Sequence, residues 1–544
     1  MTPPSGPLNP AEARVLICDD LSNAALDVFR ERGLEPEVAC GLSEEQLIKR
    51  VGGAHALIVR SATKITRAVL AAAPELRVVG RAGVGVDNID CSAATEKGVV
   101  VMNTPTGNTT TTGELAISLL CAISRHICRA DRRTRSGTWH KKGLMGSELT
   151  GKRLGVVGLG RIGRVVADRA LGLKMEVVAS DPYLQSAGQP SPIEGVELIE
   201  LDELIETCDY ISLHVPLLDS TRNLLSRERL ERTKPGVRII NAARGGLIDE
   251  EALAELLESG QIAGAALDVL AEEPPSQDHP LLGREDVILT PHLGASSHEA
   301  QHNVAVQVAR QVADFLIESV AHNAVNAPAV SSAVLQRIAP YVLLGERMGT
   351  FLAQQMDSPV RKLEVTLSES LEQDAAQYLP LAILVGVLRL SDGRANFVNA
   401  SLLAREHGLR LLQGEKSETY AFTNLIKVRA SSRGGEESHV ISGTVFGRSP
   451  RIVRIDGLHL DLEPTGTILV TRHRDRPGVI GELGGVLGKA GVNIRRMELG
   501  TNADAEAELA SAFLSLDSEP EPQVLEDLCR LDTIEEARLI RLGQ

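Results

Sequence analysis

Gly158-Leu-Gly160-Arg-Ile-Gly163 follows the apolar run 154–157 and leads into Val165, Ala167 and Ala170 at helical spacing. Strand, G-x-G-x-x-G and helix in that order form a dinucleotide-binding turn. The helix N-terminus, with the amides of Arg161 and Ile162, holds a pyrophosphate there. Asp181 ends the next apolar run about 20 residues on, where a carboxylate binds adenine-ribose hydroxyls and repels a 2′-phosphate. The cofactor these residues predict is NAD. Moving a hydride from an alcohol carbon requires a base for the hydroxyl proton, and His292 suits that task. Glu273, just before Pro274, can hold the second imidazole nitrogen if its loop folds back. Arg244 offers a planar fork able to grip a carboxylate and polarise the reacting oxygen. Taken alone, a histidine such as His292 is more often a surface residue, and a Glu-Glu-Pro loop is usually solvated. Only a common position at the ends of strands joins the three into a site.

That position has to be supplied by parallel sheets, whose ligands bind beyond the carboxyl ends of the strands. Up to about residue 291, short β-branched runs alternate with helical stretches, the pattern of α/β units. A first sheet is expected from strands at 15–18, 56–59, 76–80 and 99–102. A second is expected from strands at 153–157, 176–179, 210–213, 237–240, 265–267 and 287–289. The residues just after the first set are Asp19-Asp20, Arg60-Ser61, Arg81 to Gly83 and Asn103-Thr104. Those after the second set include His214, Val215 and Pro216, then Asn241, Ala242 and Ala243 before Arg244, then Asp268, then Pro291 before His292. Two carboxyl edges facing across a cleft would gather them, with His214, Val215, Pro216, Ala242, Ala243 and Asp268 on the cofactor side and Asp268 placed to position the nicotinamide carboxamide. A long helix from Thr109 to about Thr134 would join the two sheets as a hinge.

At 544 residues, with roughly 150 per domain, the chain implies three or four domains. The net charge is −15, which disfavours nucleic acid and anionic lipid as partners, because both require a basic face. Any anionic ligand must therefore be met by local positive charge. No apolar run approaches the roughly 18 residues of a membrane span, and residues 1–10 lack a signal-peptide core, so a soluble, unprocessed, cytoplasmic protein is expected. Seven cysteines without C-x-x-C spacing provide neither a disulfide framework nor a metal site. The expected fold class is α/β, with two Rossmann-like doubly wound parallel-sheet domains. Residues 1–104 with the helix and tail 297–325 would form one, and 105–296 the other. A linker runs through 320–331. Amphipathic helices and extended runs at 362–367, 424–428, 439–445 and 452–462 then suggest an α+β domain over 330–463. A ferredoxin-like βαββαβ unit follows over 466–544.

The runs GRAGVGVDNI (80–89), VMNTPT (101–106), NAARGGL (241–247), ALDVL (266–270) and TPHLGASS (290–297), together with Gly158 to Gly163 and Glu272-Glu273-Pro274, resemble the D-isomer-specific 2-hydroxyacid dehydrogenase family. The resemblance implies that Arg244, Glu273 and His292 are catalytic. LIVRSATKI (57–65) and the long C-terminal extension are similar to the branch that oxidises 3-phospho-D-glycerate to 3-phosphohydroxypyruvate in serine synthesis. Residues 396–410 and 457–462 resemble the intervening domain of its long form. HRDRPGVI (473–480) and GVNI (491–494) resemble an ACT domain, which binds amino acids at dimer interfaces. The implied effector is L-serine, with His473, Asp475 and Asn493 as its contacts; the alternative is a module used for assembly alone.

For such a substrate Arg60 and Arg81 would take the phosphate, Arg244 the carboxylate, and the Val84 and Gly85 amides would add an anion nest. Ser61, Gly83 and Asn103 would line the same pocket. Lys141, after the sole tryptophan Trp139, matches a family position that reaches the neighbouring subunit's site in a homodimer or homotetramer; otherwise it belongs to a solvated basic pair with Lys142. The same arginines could admit 2-oxoglutarate. In the intervening domain Arg448, Arg451 and Arg454 could form an anion site, with Leu458 and Glu463 set against it. No metal is implied. The rival readings are a reductase of glyoxylate or hydroxypyruvate, which gains nothing from a substrate phosphate, and an NAD-sensing regulator, which forms no NADH.

Overall fold

A computed structural model describes residues 7–328, 332–368, 371, 373–414, 424–501 and 509–543. Residues 1–6 of the Pro-rich start and 329–331 of the expected linker lie outside the described residues.

The first lobe is a five-stranded parallel sheet in the order Glu37–Val38, Val15–Ile17, Ala56–Val59, Val78–Arg81, Val100–Met102. Val15–Ile17, Ala56–Val59 and Val100–Met102 are buried at every position, as strands covered on both faces require. On one face Ile17, Ile58, Val78 and Met102 pack with Phe29 of helix Ala24–Glu31 and with Val304, Val308 and Val312 of helix His298–Glu318. On the other, Leu57, Val59, Val79 and Val101 pack with Leu47, Val69, Leu70 and Ala93 from three shorter helices. The long helix returns from far along the chain, and it seats directly on Gly80. A Cβ there would stand 2.7 Å from Val308 and 2.8 Å from Val312.

The second lobe is a seven-stranded parallel sheet in the order Val287–Leu289, Ile262–Leu267, Val237–Asn241, Tyr210–Leu213, Arg153–Val157, Glu176–Ser180, Val196–Leu198. Strand order reverses beside Arg153–Val157, so the turn after that strand opens at the switch point where such sheets bind ligands. Helices Thr109–Ser124 and Arg161–Gly172 cover one face, and Leu201–Thr207, Arg227–Glu231 and Glu250–Ser259 the other.

A six-stranded mixed sheet follows, covered by the paired helices Ser332–Gln355 and Gln373–Leu388. The last unit is a four-stranded antiparallel sheet in the order Ile494–Thr501, Leu509–Leu516, Thr467–Arg474, Ile534–Arg541. Its own helices Val479–Lys489 and Pro522–Cys529 cover one face. Ile468, Val470, Phe513 and Ile540 on the opposite face join the core of the preceding unit.

Several elements differ from expectation. The long helix is two, Thr109–Ser124 and Ile127–Arg135, broken at His126, whose φ is 51°. The second piece buries no residue, so no apolar stripe existed there to extend the first. Residues 452–462 are not one run but a hairpin, Ser449–Ile455 and Leu458–Leu462, turning through Asp456 and Gly457. The third strand of the first sheet shifts to Val78–Arg81, so Arg81 closes it rather than following it. Edge strands Glu37–Val38 and Val196–Leu198, and strand Arg410–Gln413, were not expected; each is too short for a clear periodicity. The expected linker is partly built into the first sheet: Ala324 pairs with Met102, and Asn326 bonds Val101 N through Oδ1 and Val99 O through Nδ2.

Because the seat at Gly80 has no spare room, Gly80→Ala should lower stability by about 1–3 kcal/mol through overpacking. Denaturant unfolding measures it, and an unchanged midpoint would show that the helix needs no such close approach.

Candidate active site

A cavity of about 450 Å³ lies between the carboxyl edges of the two sheets. Arg60, Ser61, Arg81 and Val84 line it from the first lobe. Ile162, His214, Val215, Pro216, Ala242, Ala243, Arg244, Glu273 and His292 line it from the second. Gly158, Gly160, Arg161, Gly163, Asp181, Asp268, Gly83, Asn103 and Lys141 are not on its wall.

His292 Nδ1 lies 2.8 Å from Glu273 Oε2, and both side chains stay partly open to the cleft, at 51% and 39% exposed. With Nδ1 donating to the carboxylate, the Nε2 lone pair remains for an incoming proton. Glu273 Oε1 accepts from Leu270 N at 3.2 Å, which fixes the carboxylate. Its loop is tied in turn by Glu250, which accepts from Ala271 N at 2.8 Å and pairs with His279 at 3.0 Å. His292 itself has φ 54°, a left-handed conformation that costs of order 1–3 kcal/mol in a non-glycine residue. Asp268 over-determines it. The Asp268 carbonyl accepts from His292 N at 2.9 Å, while its buried carboxylate accepts from Thr290 Oγ1, Leu293 N and Gly294 N at 2.6, 2.7 and 2.9 Å. These contacts hold the loop that presents His292, and Asp268 itself does not line the cavity.

Across the cleft stand Arg60 and Arg81, and the Arg244 guanidinium reaches over to them from the second lobe. Burial, and then the neighbouring Arg244 guanidinium, pull Arg81 down to about 10, and its Nε is buried without a hydrogen-bond partner. A buried cation with an orphaned donor is a built demand for an anion. Arg244 Nε is 3.3 Å from Asp87 Oδ2, and an Arg244 Nη donates to Ala243 O at 2.7 Å. Both guanidiniums lie against the turn 83–85. A Cβ at Gly83 would come 1.5 Å from an Arg81 Nη, and one at Gly85 2.1 Å from an Arg244 Nη. Having no side chain, Gly83 admits the Arg81 guanidinium. Asn103 pins the turn, donating through Nδ2 to Val84 O at 2.6 Å. Buried Asp19 pins the Arg60 loop, accepting from Arg60 N at 2.5 Å and Thr63 Oγ1 at 2.6 Å.

On the cofactor side, Gly158 has φ 91°, and a Cβ on Gly163 would stand 2.0 Å from Gly158 O, so helix Arg161–Gly172 starts hard against the turn. At Gly160 a Cβ would meet nothing within 4 Å, which leaves open space over the helix N-terminus for a pyrophosphate. Asp181 accepts from Leu159 N at 2.9 Å, Tyr183 N at 3.0 Å and Leu184 N at 3.3 Å. Two carboxylate oxygens offer about four acceptor sites, so a ribose hydroxyl still has a place. These residues fit a dinucleotide without a 2′-phosphate. His214 bonds Ser212 Oγ at 2.8 Å, its Nδ1 has no partner, and burial pulls it down to about 4, so it is a neutral wall.

Sequence reasoning missed Asn108, Thr112 and Gln301, all on the cavity wall. Asn108 is 9% exposed and its Oδ1 has no partner. Thr112 donates to Gly294 O at 2.7 Å. They begin the helices Thr109–Ser124 and His298–Glu318 instead of ending strands, and the available signal was the polar residues opening each helix. Away from the cleft, Lys141 sits on an arm with Trp139 88% and Met145 89% exposed. His473 is buried beside Thr471, and Asn493 N donates to Asp517 Oδ1 at 3.0 Å. Arg451 is already engaged by Asp461 at 3.2 Å, Glu463 at 3.7 Å and Ser449 Oγ at 2.7 Å. Among the described residues no cluster of His, Cys, Asp and Glu could hold a metal, and no helix is long and apolar enough to cross a membrane.

Residues 117–294 match the D-isomer specific 2-hydroxyacid dehydrogenase NAD binding domain, 337–456 the D-3-phosphoglycerate dehydrogenase intervening domain, and 467–533 the ACT domain. The chain is 39% identical to D-3-phosphoglycerate dehydrogenase of Archaeoglobus fulgidus over 97% of its own length and 100% of that protein. It is 38% identical to that of Bacillus subtilis over 97% and 99%. Among solved structures, NAD-dependent formate dehydrogenase from Staphylococcus aureus in complex with NAD aligns with a TM-score of 0.52 at 27% identity, covering 57% of this chain and 97% of that one. D-Lactate dehydrogenase from Aquifex aeolicus, complexed with NAD and lactic acid, gives 0.51 at 25%, covering 58% and 100%.

Arg81→Met removes a buried, unsatisfied cation. The unliganded protein should then unfold at an unchanged or higher temperature, while inorganic phosphate binds about tenfold more weakly. A lower melting temperature with unchanged phosphate affinity would make Arg81 structural instead.

Proposed function

Because the chain belongs to the D-3-phosphoglycerate dehydrogenase family and is an NAD-dependent oxidoreductase, we propose that it oxidises 3-phospho-D-glycerate at C2 to 3-phosphohydroxypyruvate, opening serine synthesis. The observation that carries this reading is one cleft in which Arg81 of the first lobe, with its orphaned Nε, faces the His292–Glu273 pair of the second, with Arg244 of the second lobe reaching over to the turn beside Arg81. A substrate bearing two anionic groups and one hydroxyl satisfies every member of that set.

NAD, when bound, supplies the acceptor for the C2 hydride. Gly158, Gly160, Gly163, Arg161, Ile162 and Asp181 would hold it, with His214, Val215, Pro216, Ala242 and Ala243 as the adjoining wall. His292 Nε2 takes the hydroxyl proton as the C2 hydrogen leaves with its electron pair. Glu273 keeps the imidazole turned toward the cleft and stabilises the cation that forms. Arg244 grips the carboxylate and polarises the C2 oxygen as it becomes a carbonyl. Arg60 and Arg81 take the phosphate, with Ser61 and the Val84 amide beside them. The lobe of residues 1–104 and 297–325 thus binds substrate, and 105–296 binds cofactor.

The ACT unit is the regulatory half of this reading. L-Serine would be held by Asp475 through its amino group and by Asn493, with His473 behind them. A homodimer or homotetramer accounts for the exposed Trp139 and Met145, since apolar side chains of that size are normally covered; Lys141 would then enter the neighbour's cleft. With two guanidiniums facing one base, reduction of 2-oxoglutarate is a side reaction of the same geometry.

Steady-state reduction by NADH should favour 3-phosphohydroxypyruvate over hydroxypyruvate in kcat/KM by at least about a hundredfold, since the analogue leaves buried donors unpaired. Parity would assign the protein to the glyoxylate and hydroxypyruvate reductases instead. Added L-serine should slow the same reaction, and Asp475→Ala should abolish the effect. An effect of serine unchanged by Asp475→Ala would remove the effector from this unit.

A further inference from the structure

Residues 60–63, which bring Arg60 and Ser61 to the cleft wall, are tied at both ends and on both sides. On one side the buried Asp19 carboxylate accepts from Arg60 N at 2.5 Å, from Thr63 N at 3.3 Å and from Thr63 Oγ1 at 2.6 Å. On the other, Asn88 Nδ2 donates to Arg60 O at 2.8 Å and to Thr63 O at 2.6 Å. A primary amide nitrogen carries two hydrogens, and both are used here. Because both partners are carbonyl oxygens, the side chain can face them only through its nitrogen. A carboxylate in the same place would have no proton to give.

Asn88 is itself firmly placed. Its carbonyl accepts from Ile65 N at 2.8 Å and Asp90 N donates to Ile65 O at 2.9 Å, so the chain at 88–90 forms a parallel bridge beside Ile65, with Ile65 and Ile89 buried in one core. The same segment starts with the turn 83–85 that receives the Arg81 guanidinium. Asn103 secures the Val84 end of that turn. What Asn88 adds is a join between the two arginine-bearing segments, which fixes the Arg60 loop against the Arg81 turn.

We propose that Asn88 is a positioning residue that makes Arg60 and Arg81 act as one anion cradle, and thereby sets the preference for a phosphorylated substrate. The inference rests on the assignment of those two arginines to the phosphate. Asn88 does not line the cleft, so it acts through the loop it holds. Two guanidiniums grip one anion only while they stand at a fixed separation, and a misplacement of about 1 Å can cost on the order of a hundredfold. Arg244 and His292, which serve the carboxylate and the C2 oxygen, are carried by the second lobe. Loss of the tether leaves them in place.

Reduction of 3-phosphohydroxypyruvate and of hydroxypyruvate by NADH, compared on the same preparations of the full chain, separates positioning from folding. Asn88→Ala should raise KM for 3-phosphohydroxypyruvate by about 10–100-fold, lower its kcat by less than about threefold, and move KM for hydroxypyruvate by less than about twofold. Asn88→Asp should raise the first KM further, because a carboxylate repels both carbonyls. KM is read from whatever fraction of the enzyme is folded. Asn88→Ser, which retains one donor, should fall between the native enzyme and Asn88→Ala, and decides the matter by the same comparison if the other two do not fold. Equal rises in both KM values, or a phosphate preference undiminished in Asn88→Ala, would overturn the proposal. A native enzyme indifferent to the substrate phosphate would remove the reading of the cleft on which it rests, and that failure shows before any variant is made.

Discussion

The 2.8 Å hydrogen bond between Glu273 and His292 is the contact on which the proposed chemistry depends, and much of the second lobe holds the two loops that make it. Neither residue lies in a strand. Each is carried on a loop after one of two adjacent parallel strands, Ile262–Leu267 and Val287–Leu289, so the register between those strands sets the spacing. Asp268 sits at the join. Its carbonyl and both carboxylate oxygens hold residues 290–294, and the left-handed backbone at His292 is the strain that this clamp sustains. Glu250, at the start of helix Glu250–Ser259, does the same for the Glu273 loop, accepting from Ala271 N and pairing with His279 further along that loop.

The opposite wall presents a different problem, because positive charge must be concentrated in an acidic protein without collapsing onto its own carboxylates. Arg81 is kept free by burial beside another cation, and turn 83–85 lets both guanidiniums through only because two of its positions have no Cβ. Asp87 partly balances Arg244 at 3.3 Å, while Asp19, which could have quenched Arg60, is turned to the loop backbone and Thr63 instead. An anion bound there would relieve the repulsion between Arg81 and Arg244, which is a physical basis for selecting charged substrates.

The parts of this site legible in the sequence were those that local geometry dictates. The G-x-G-x-x-G turn is one, since Gly163 must touch Gly158. The strand-end residues Arg60, Arg81, His214, Arg244 and His292 are another, because parallel strands deliver whatever follows them to one edge. Long-range partnerships were not legible. Asp268 looks like a ligand residue from its place after a strand, and only the positions of Thr290, Leu293 and Gly294 show where its oxygens go. Asn108, Thr112 and Gln301 reach the cleft because two helices start there, and a single sequence does not say how those helices cross. The break at His126 escaped for a related reason, since an apolar stripe marks where a helix is buried and says nothing of where an exposed one begins. Asn326 looked like linker, and its clasp on Val99 and Val101 needed coordinates to be seen.

In the proposed mechanism Glu273 acts on the reaction through His292 and not independently of it, and a double-mutant cycle on kcat measures that directly. His292→Ala should lower kcat by about 10²–10⁴-fold, as loss of a general base does. Glu273→Ala should lower it by less, and the double variant should be no slower than His292→Ala alone. If instead the two losses multiply, Glu273 and His292 work separately, and the dyad is not the catalytic unit of this protein.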